Sequence, residues 1–168
     1  MLAVTPLAEP DLPALVDLLE EMDRFYGASP SEPVETRQAQ IKALVLRTTP
    51  VAHVLLVRDG DRVAGFASYS FLWPAVGLTP SLFLKELYVA EADRRRGIGR
   101  LLMQRLFDLA AEIGCSRVEW TTERDNPDAQ AFYAKLGLNP NTEKVFYRVE
   151  DAPLACHEPT NAVRTSES

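Results

Sequence analysis

The chain has 168 residues, 46% hydrophobic and 25% charged, proportions of one folded domain that exclude a disordered or low-complexity scaffold. Its 18 Lys and Arg against 24 Asp and Glu leave a net charge of −6, which argues against a phosphate-backbone binder, so no nucleic-acid partner is expected. Cys115, Cys156, His53 and His157 stand at no ligand spacing, so no metal is expected, and the first residues lack a basic and apolar leader.

Residues 2–7 read as a short edge strand. Behind Glu9-Pro10-Asp11, the residues Leu12, Leu15, Val16, Leu18 and Leu19 recur at helical spacing and predict a helix to about Tyr26, with Gly27 as its stop. A loop at 28–33 leads to a second helix over 35–47 carrying Ile41, Leu44 and Val45. Residues 51–58 and 63–71, rich in aliphatic side chains around the turn pair Asp59-Gly60, predict an antiparallel hairpin. Residues 73–80 hold too much Pro and Gly for a central strand, and a strand over 82–89 follows. Leu101, Leu102, Leu106, Leu109 and Ile113 then share one side of a helix ending at Gly114, and 117–122 is a further strand. Asn126-Pro127-Asp128 opens a short helix bearing Phe132, Tyr133 and Leu136, Gly137 stops it, and 144–149 predicts a closing strand. The expected fold is a single α/β domain over 1–150, ordered β-α-α-β-β-β-α-β-α-β, with a mixed, mostly antiparallel sheet flanked by helices. A polar C-terminal tail at 151–168 is expected to be mobile. No apolar run approaches the roughly 20 residues that span a bilayer, so the expectation is a cytoplasmic protein with no membrane partner.

The segment Arg94-Arg95-Arg96-Gly97-Ile98-Gly99-Arg100 joins a strand to a helix. A helix start leaves backbone N–H groups unpaired at the positive end of the helix dipole, which makes an anion cradle, with the arginines supplying charge around it. A solvated basic turn capping an ordinary helix is the plain alternative. No Gly-Lys-Ser or Gly-Lys-Thr follows, and the third glycine of a dinucleotide fingerprint would fall at Leu102, so nucleotide hydrolysis and hydride transfer are disfavoured.

Arg94 to Gly99 instead resembles the acetyl-CoA motif Arg/Gln-x-x-Gly-x-Gly/Ala of the GNAT family of N-acetyltransferases, with Leu87-Tyr88-Val89 before it and Leu101-Leu102 after. Asn126, Ala129, Phe132, Tyr133, Leu136 and Gly137 resemble the family's second motif, departing only where Leu138 replaces an aromatic residue. Phe83 to Val89, Trp120-Thr121-Thr122 and Phe146-Tyr147-Arg148 look most like the diamine and small histone or polyamine acetyltransferases, although Lys85 stands where that branch often carries an acid.

The resemblance implies transfer of acetyl from acetyl-CoA to a primary amine by direct attack in a ternary complex. Leu87, Tyr88 and Val89 would bind the pantetheine arm through their main chain, the residues from Arg94 through Arg100 would hold the pyrophosphate, and Asn126 would contact the arm. Tyr133 matches the general acid for the leaving thiolate; a core-packing ring is its alternative role. Glu86, three residues before Val89, is the best carboxylate for a water-relayed base, unless it serves only in an ion pair, and Lys85 is expected on the opposite face. Phe25, Tyr26 and Trp73 would line the acceptor pocket or pack locally, and Glu20, Glu21, Asp23, Glu32 and Glu35 bias that end toward a cation. A homodimer is possible on the same resemblance. The competing reading is a non-catalytic acyl-CoA-binding regulatory module.

Overall fold

The computed structural model describes residues 1–29 and 32–148. Among the described residues, five strands and four α-helices run in order, with short 3-10 turns between some of them: β1 (Leu2–Pro6), α1 (Leu12–Phe25), α2 (Val34–Val45), β2 (His53–Asp59), β3 (Arg62–Leu72), β4 (Ser81–Val89), α3 (Ile98–Ile113), β5 (Arg117–Trp120) and α4 (Pro127–Lys135). The strands form one sheet in the order β1-β2-β3-β4-β5; the first three pairings are antiparallel and β4–β5 is parallel. This is the single α/β domain with a mixed, mostly antiparallel sheet that the sequence predicts.

Successive residues of a strand face opposite sides of its sheet, so the unbroken apolar run of β2 supplies both faces. Leu55 and Val57 pack with Leu102, Met103 and Leu106 of α3, while Val54 and Leu56 pack with Leu12, Leu15 and Leu18 of α1. The cores therefore lie on the two faces of the sheet, with α3 over one and α1 over the other. Helix α2 buries no residue fully; Ile41 and Val45 rest on the α1 side, and Arg37 ties it to Glu20 at 3.2 Å and Asp23 at 3.0 Å.

One irregularity decides how the site is built. Ser68 pairs with Glu86 but Tyr69 pairs with Leu84, so Lys85 is an extra residue in β4, a β-bulge. The bulge reverses the alternation: Leu82 and Leu84 face α3 before it, Leu87 and Val89 face α3 after it, and Tyr88 joins the α1 side. A second consequence concerns β5, whose pairing with β4 stops at Leu84 and Trp120 while β4 continues to Val89. The two parallel strands separate there, leaving the β5-facing edge of β4 open beyond the bulge.

The closing strand expected at 144–149 does not form over its described residues 144–148, and Val149 lies outside them. In a strand Val145 and Tyr147 would share one face and Phe146 the other, but all three are exposed, so no burial holds the segment on the sheet. Side-chain contacts tether it to the residues around β5, Lys144 to Glu119 at 3.3 Å and Arg148 to Glu123 at 3.9 Å. The tail expected at 151–168 also lies outside the described residues. Among the described residues no helix is long and apolar enough to cross a membrane.

Candidate active site

Where β4 and β5 part, they enclose a cleft of about 410 Å³, with the end of α1 on one side and α4 on the other. Glu86 and Leu87 line it from β4, Met22 and the C-cap Tyr26 from the end of α1, and the N-cap Asn126 and Tyr133 from α4. Tyr133 is held by its ring, packed 5.0 Å from Trp120 and 5.1 Å from Phe132 between centroids. Burial pushes its phenol up to about 12, with Tyr26 and the charge of Glu86 adding to the rise. The hydroxyl therefore keeps its proton throughout the neutral range. Glu86 is half-buried on the same cleft, and Lys85 Nζ donates to Glu86 Oε1 at 2.7 Å. That contact corrects the expectation that Lys85 points away: at a bulge the strict alternation is lost, and a long flexible ammonium reaches its neighbour.

The turn before α3 has the backbone that a cradle requires. Gly97 is its N-cap at φ 81°, in the left-handed region, and no side chain caps the helix, so the N–H groups of its first turn are open to an anion. A Cβ built on Gly97 would meet nothing within 4 Å, which leaves room for a phosphate. Gly99 has another role. A Cβ there would come within 3.1 Å of Phe132 Cζ, so this glycine lets α3 and α4 approach.

The arginines separate into two groups. Arg95, at φ 63°, and Arg100 are exposed and make no hydrogen bond or ion pair among the described residues, so both stand available beside the helix start. Arg96 is committed elsewhere, to the buried Asp93 and to Asp59 Oδ2 at 2.6 Å, and Asp93 is also held by Arg62, with Nη2 to Oδ1 at 2.7 Å. Arg94 turns to the α1 side, donating from Nε to Val89 O at 3.3 Å and from Nη2 to Tyr88 Oη at 3.2 Å. The side chains of Arg94 and Arg96 are thus structural contacts, not the free cations the spacing suggested. Asn126 caps α4, its Oδ1 accepting from Ala129 N at 3.0 Å, which leaves its amide nitrogen for a further contact.

Of the three aromatic residues expected around an acceptor, only Tyr26 lines the cleft. Phe25 packs edge-on to Tyr26 and Tyr88, with centroids 5.1 and 6.3 Å away. Trp73, 68% exposed, donates from its indole to Leu78 O at 2.8 Å and closes its own loop at the Ser81 end of β4. The acidic bias of α1 is likewise consumed locally: Glu20 pairs with Arg24 and Arg37, Asp23 with Arg37, and Glu21 accepts from Tyr88 and from Glu91 N. Among the described residues, the charged side chains that line the cleft are Lys85, Arg148, Glu86 and Glu123, two of each sign. Glu123 and Met22 gave no signal in the sequence, because nothing in a linear pattern foretells where two strands separate.

A sheet whose parallel strands part beside an uncapped glycine-initiated helix can be compared with known proteins. The profile of the acetyltransferase (GNAT) family matches residues 14–138. The chain belongs to this family. A D-amino-acid N-acetyltransferase of Saccharomyces cerevisiae is 34% identical over 89 residues, 53% of this chain; the match spans about half of that relative's length, 53%. An aminoglycoside N(6')-acetyltransferase type 1 of Serratia marcescens is 30% identical over 122 residues, 71% of this chain and 83% of the relative. Among solved structures, an aminoglycoside N-acetyltransferase in complex with CoA superposes with a TM-score of 0.72 at 18% identity, covering 90% of this chain and 96% of the other. The fold is therefore that of GNAT proteins, and the matched span includes both the glycine turn and α4.

Proposed function

We propose that this GNAT protein transfers acetyl from acetyl-CoA to the primary amine of a small molecule, by direct attack with both substrates bound. The observation that carries the reading is the pairing, across one cleft, of a half-buried, protonated Tyr133 with the side chain of Glu86. The open first turn of α3 with Arg95 and Arg100 suits a pyrophosphate, and the free edge of β4 from Glu86 to Val89 suits an amide-bearing arm. The β4 edge reaches the cleft at Glu86 and Leu87, and Gly99 of the turn lies beside Leu87 and Phe132, so an arm running from the turn along β4 would bring its thioester toward Glu86 and Tyr133.

Each residue then has a definite task. Val89 and its neighbours on the open edge orient the arm through main-chain groups. Glu86 takes a proton, through water, from the incoming ammonium and leaves a neutral nucleophile, while Lys85 steadies the carboxylate. As the carbon–sulfur bond breaks, Tyr133 gives its Oη proton to the thiolate. The two charges of each sign among the described lining residues favour an acceptor that is a modest cation or a zwitterion over a long polyamine, and the yeast and Serratia relatives are named for amino-acid and aminoglycoside substrates.

The test is thiol release from acetyl-CoA across a panel of diamines, amino acids and aminoglycosides. Turnover with at least one acceptor, together with acetyl-CoA binding, is the expected result. Binding without turnover on any amine would replace the reading by that of a regulatory acyl-CoA-binding module.

A further inference from the structure

Arg94 opens the glycine turn, yet its guanidinium lies on the α1 side of β4. Its Cζ sits 4.7 Å from the ring centroid of Phe25 and 5.5 Å from that of Tyr88, and its Nη2 donates to Tyr88 Oη. Tyr88, only 5% exposed, donates in turn to Glu21 Oε1 at 3.0 Å, and the same oxygen accepts from Glu91 N at 2.7 Å. Glu21 and Phe25 are one helical turn apart and form one stripe of α1; Met22 and Tyr26 form the adjacent stripe, which lines the cleft. The contacts on the first stripe therefore fix where the second stripe stands relative to Tyr133.

We infer that Arg94, Tyr88 and Glu21 form a latch that holds the last turn of α1 against β4, making Arg94 a positioning residue for the amine acceptor and not a ligand of the pyrophosphate. The flat guanidinium stacks on one ring while sharing its N–H groups between Tyr88 Oη and Val89 O, a combination that an ammonium cannot reproduce. Among the described residues, no comparable contact ties α1 to the glycine turn at Arg95 or Arg100. The kinetic part of this inference rests on the acetyl-transfer reading; the structural part does not.

The experiment compares Arg94→Gln, Arg94→Lys and Tyr88→Phe with Arg100→Gln. Three quantities are read: the Kd of acetyl-CoA by calorimetry, the KM of the best amine, and amide hydrogen exchange over residues 22–26 without substrate. For Arg94→Gln the amine KM should rise about tenfold, the loss expected of a charge-assisted hydrogen bond, while the acetyl-CoA Kd changes less than about twofold. Exchange over 22–26 should quicken. Tyr88→Phe should give the same pattern with the ring retained, and Arg94→Lys should recover part of the loss through its remaining cation–π contact. Arg100→Gln should do the reverse, weakening acetyl-CoA and sparing the amine KM. An acetyl-CoA Kd that rises with Arg94→Gln as much as the amine KM, or exchange over 22–26 that does not change, overturns the latch. A wild-type protein that turns over no amine would instead defeat the acetyl-transfer reading, and the exchange rates would still decide the latch.

Discussion

Tyr133 and Glu86 are opposite cases of how a side chain acquires a chemical role. Tyr133 is fixed by packing against Trp120 and Phe132, and burial keeps its proton in place at neutral pH while making the phenol a weaker acid, so a transfer from it would rely on positioning rather than on acidity. Glu86 owes its place to the bulge at Lys85, which puts it on the face of Tyr88 and brings an ammonium to its carboxylate. Replacing Tyr133 by Phe should leave ring packing and acetyl-CoA affinity intact while lowering kcat by about 10²- to 10⁴-fold, the loss typical of removing a general acid. With a phenol at about 12, wild-type activity should also show no alkaline fall from this group between neutrality and pH 10. Glu86→Gln should lose most activity where the amine is an ammonium and regain part of it as solvent deprotonates the acceptor at higher pH. Rate profiles at saturating acetyl-CoA measure both effects; a flat comparison of Tyr133→Phe with wild type would make the phenol structural.

At the scale of elements, α3 and α4 meet at Gly99, and β4 parts from β5 at Leu84 and Trp120. The two glycines of the turn should therefore fail differently. Gly97→Ala forces a side chain into the left-handed region, at a cost of roughly 1–2 kcal/mol, and places a methyl where the anion would approach, so acetyl-CoA should bind more weakly. Gly99→Val instead pushes against the tip of Phe132, and the overpacking, of order 1–3 kcal/mol, should lower Tm and displace Tyr133 with little direct effect on the anion site. Thermal scans with and without acetyl-CoA separate the two: a smaller ligand-induced shift for Gly97→Ala, and a lower baseline for Gly99→Val. Much of this arrangement was legible in the sequence. Periodicity located α1 and α3, the apolar runs located β2 and β3, and the glycine spacing marked the turn. What pattern could not supply was tertiary. The bulge inverts an alternation that looks continuous, Arg94 and Arg96 are diverted by contacts that folding brings to them from other elements, Phe25 and Asp59 among them, and the segment at 144–148 has strand-forming residues yet stays outside the sheet.

At the scale of the whole molecule, an ionic junction joins the β-sheet to the glycine turn. Asp93, 1% exposed, receives Arg62 from the start of β3 and Arg96 from the turn, and Arg96 continues to Asp59 at the end of β2. Hydrogen bonding from Arg62, opposed by burial and reinforced by Arg96, holds the Asp93 carboxyl at about 2, below the ordinary value of 3.8. Because the folded value is the lower one, the stabilisation is complete above about pH 4 to 5 and is lost as pH falls through 4 toward 2. The difference in pKa corresponds to a contribution on the order of 2 kcal/mol at neutrality. Asp93→Asn removes the titrating charge but leaves two guanidinium groups facing a neutral amide, so its stability should be lower than wild type by at least that amount at pH 7. The gap should narrow as pH approaches 2, where the wild-type carboxylate is itself being protonated. Urea unfolding of both proteins between pH 7 and pH 2 measures the gap directly. A difference that stays constant over that range would mean that Asp93 acts through packing alone, and that the hairpin and the glycine turn are joined by shape and not by charge.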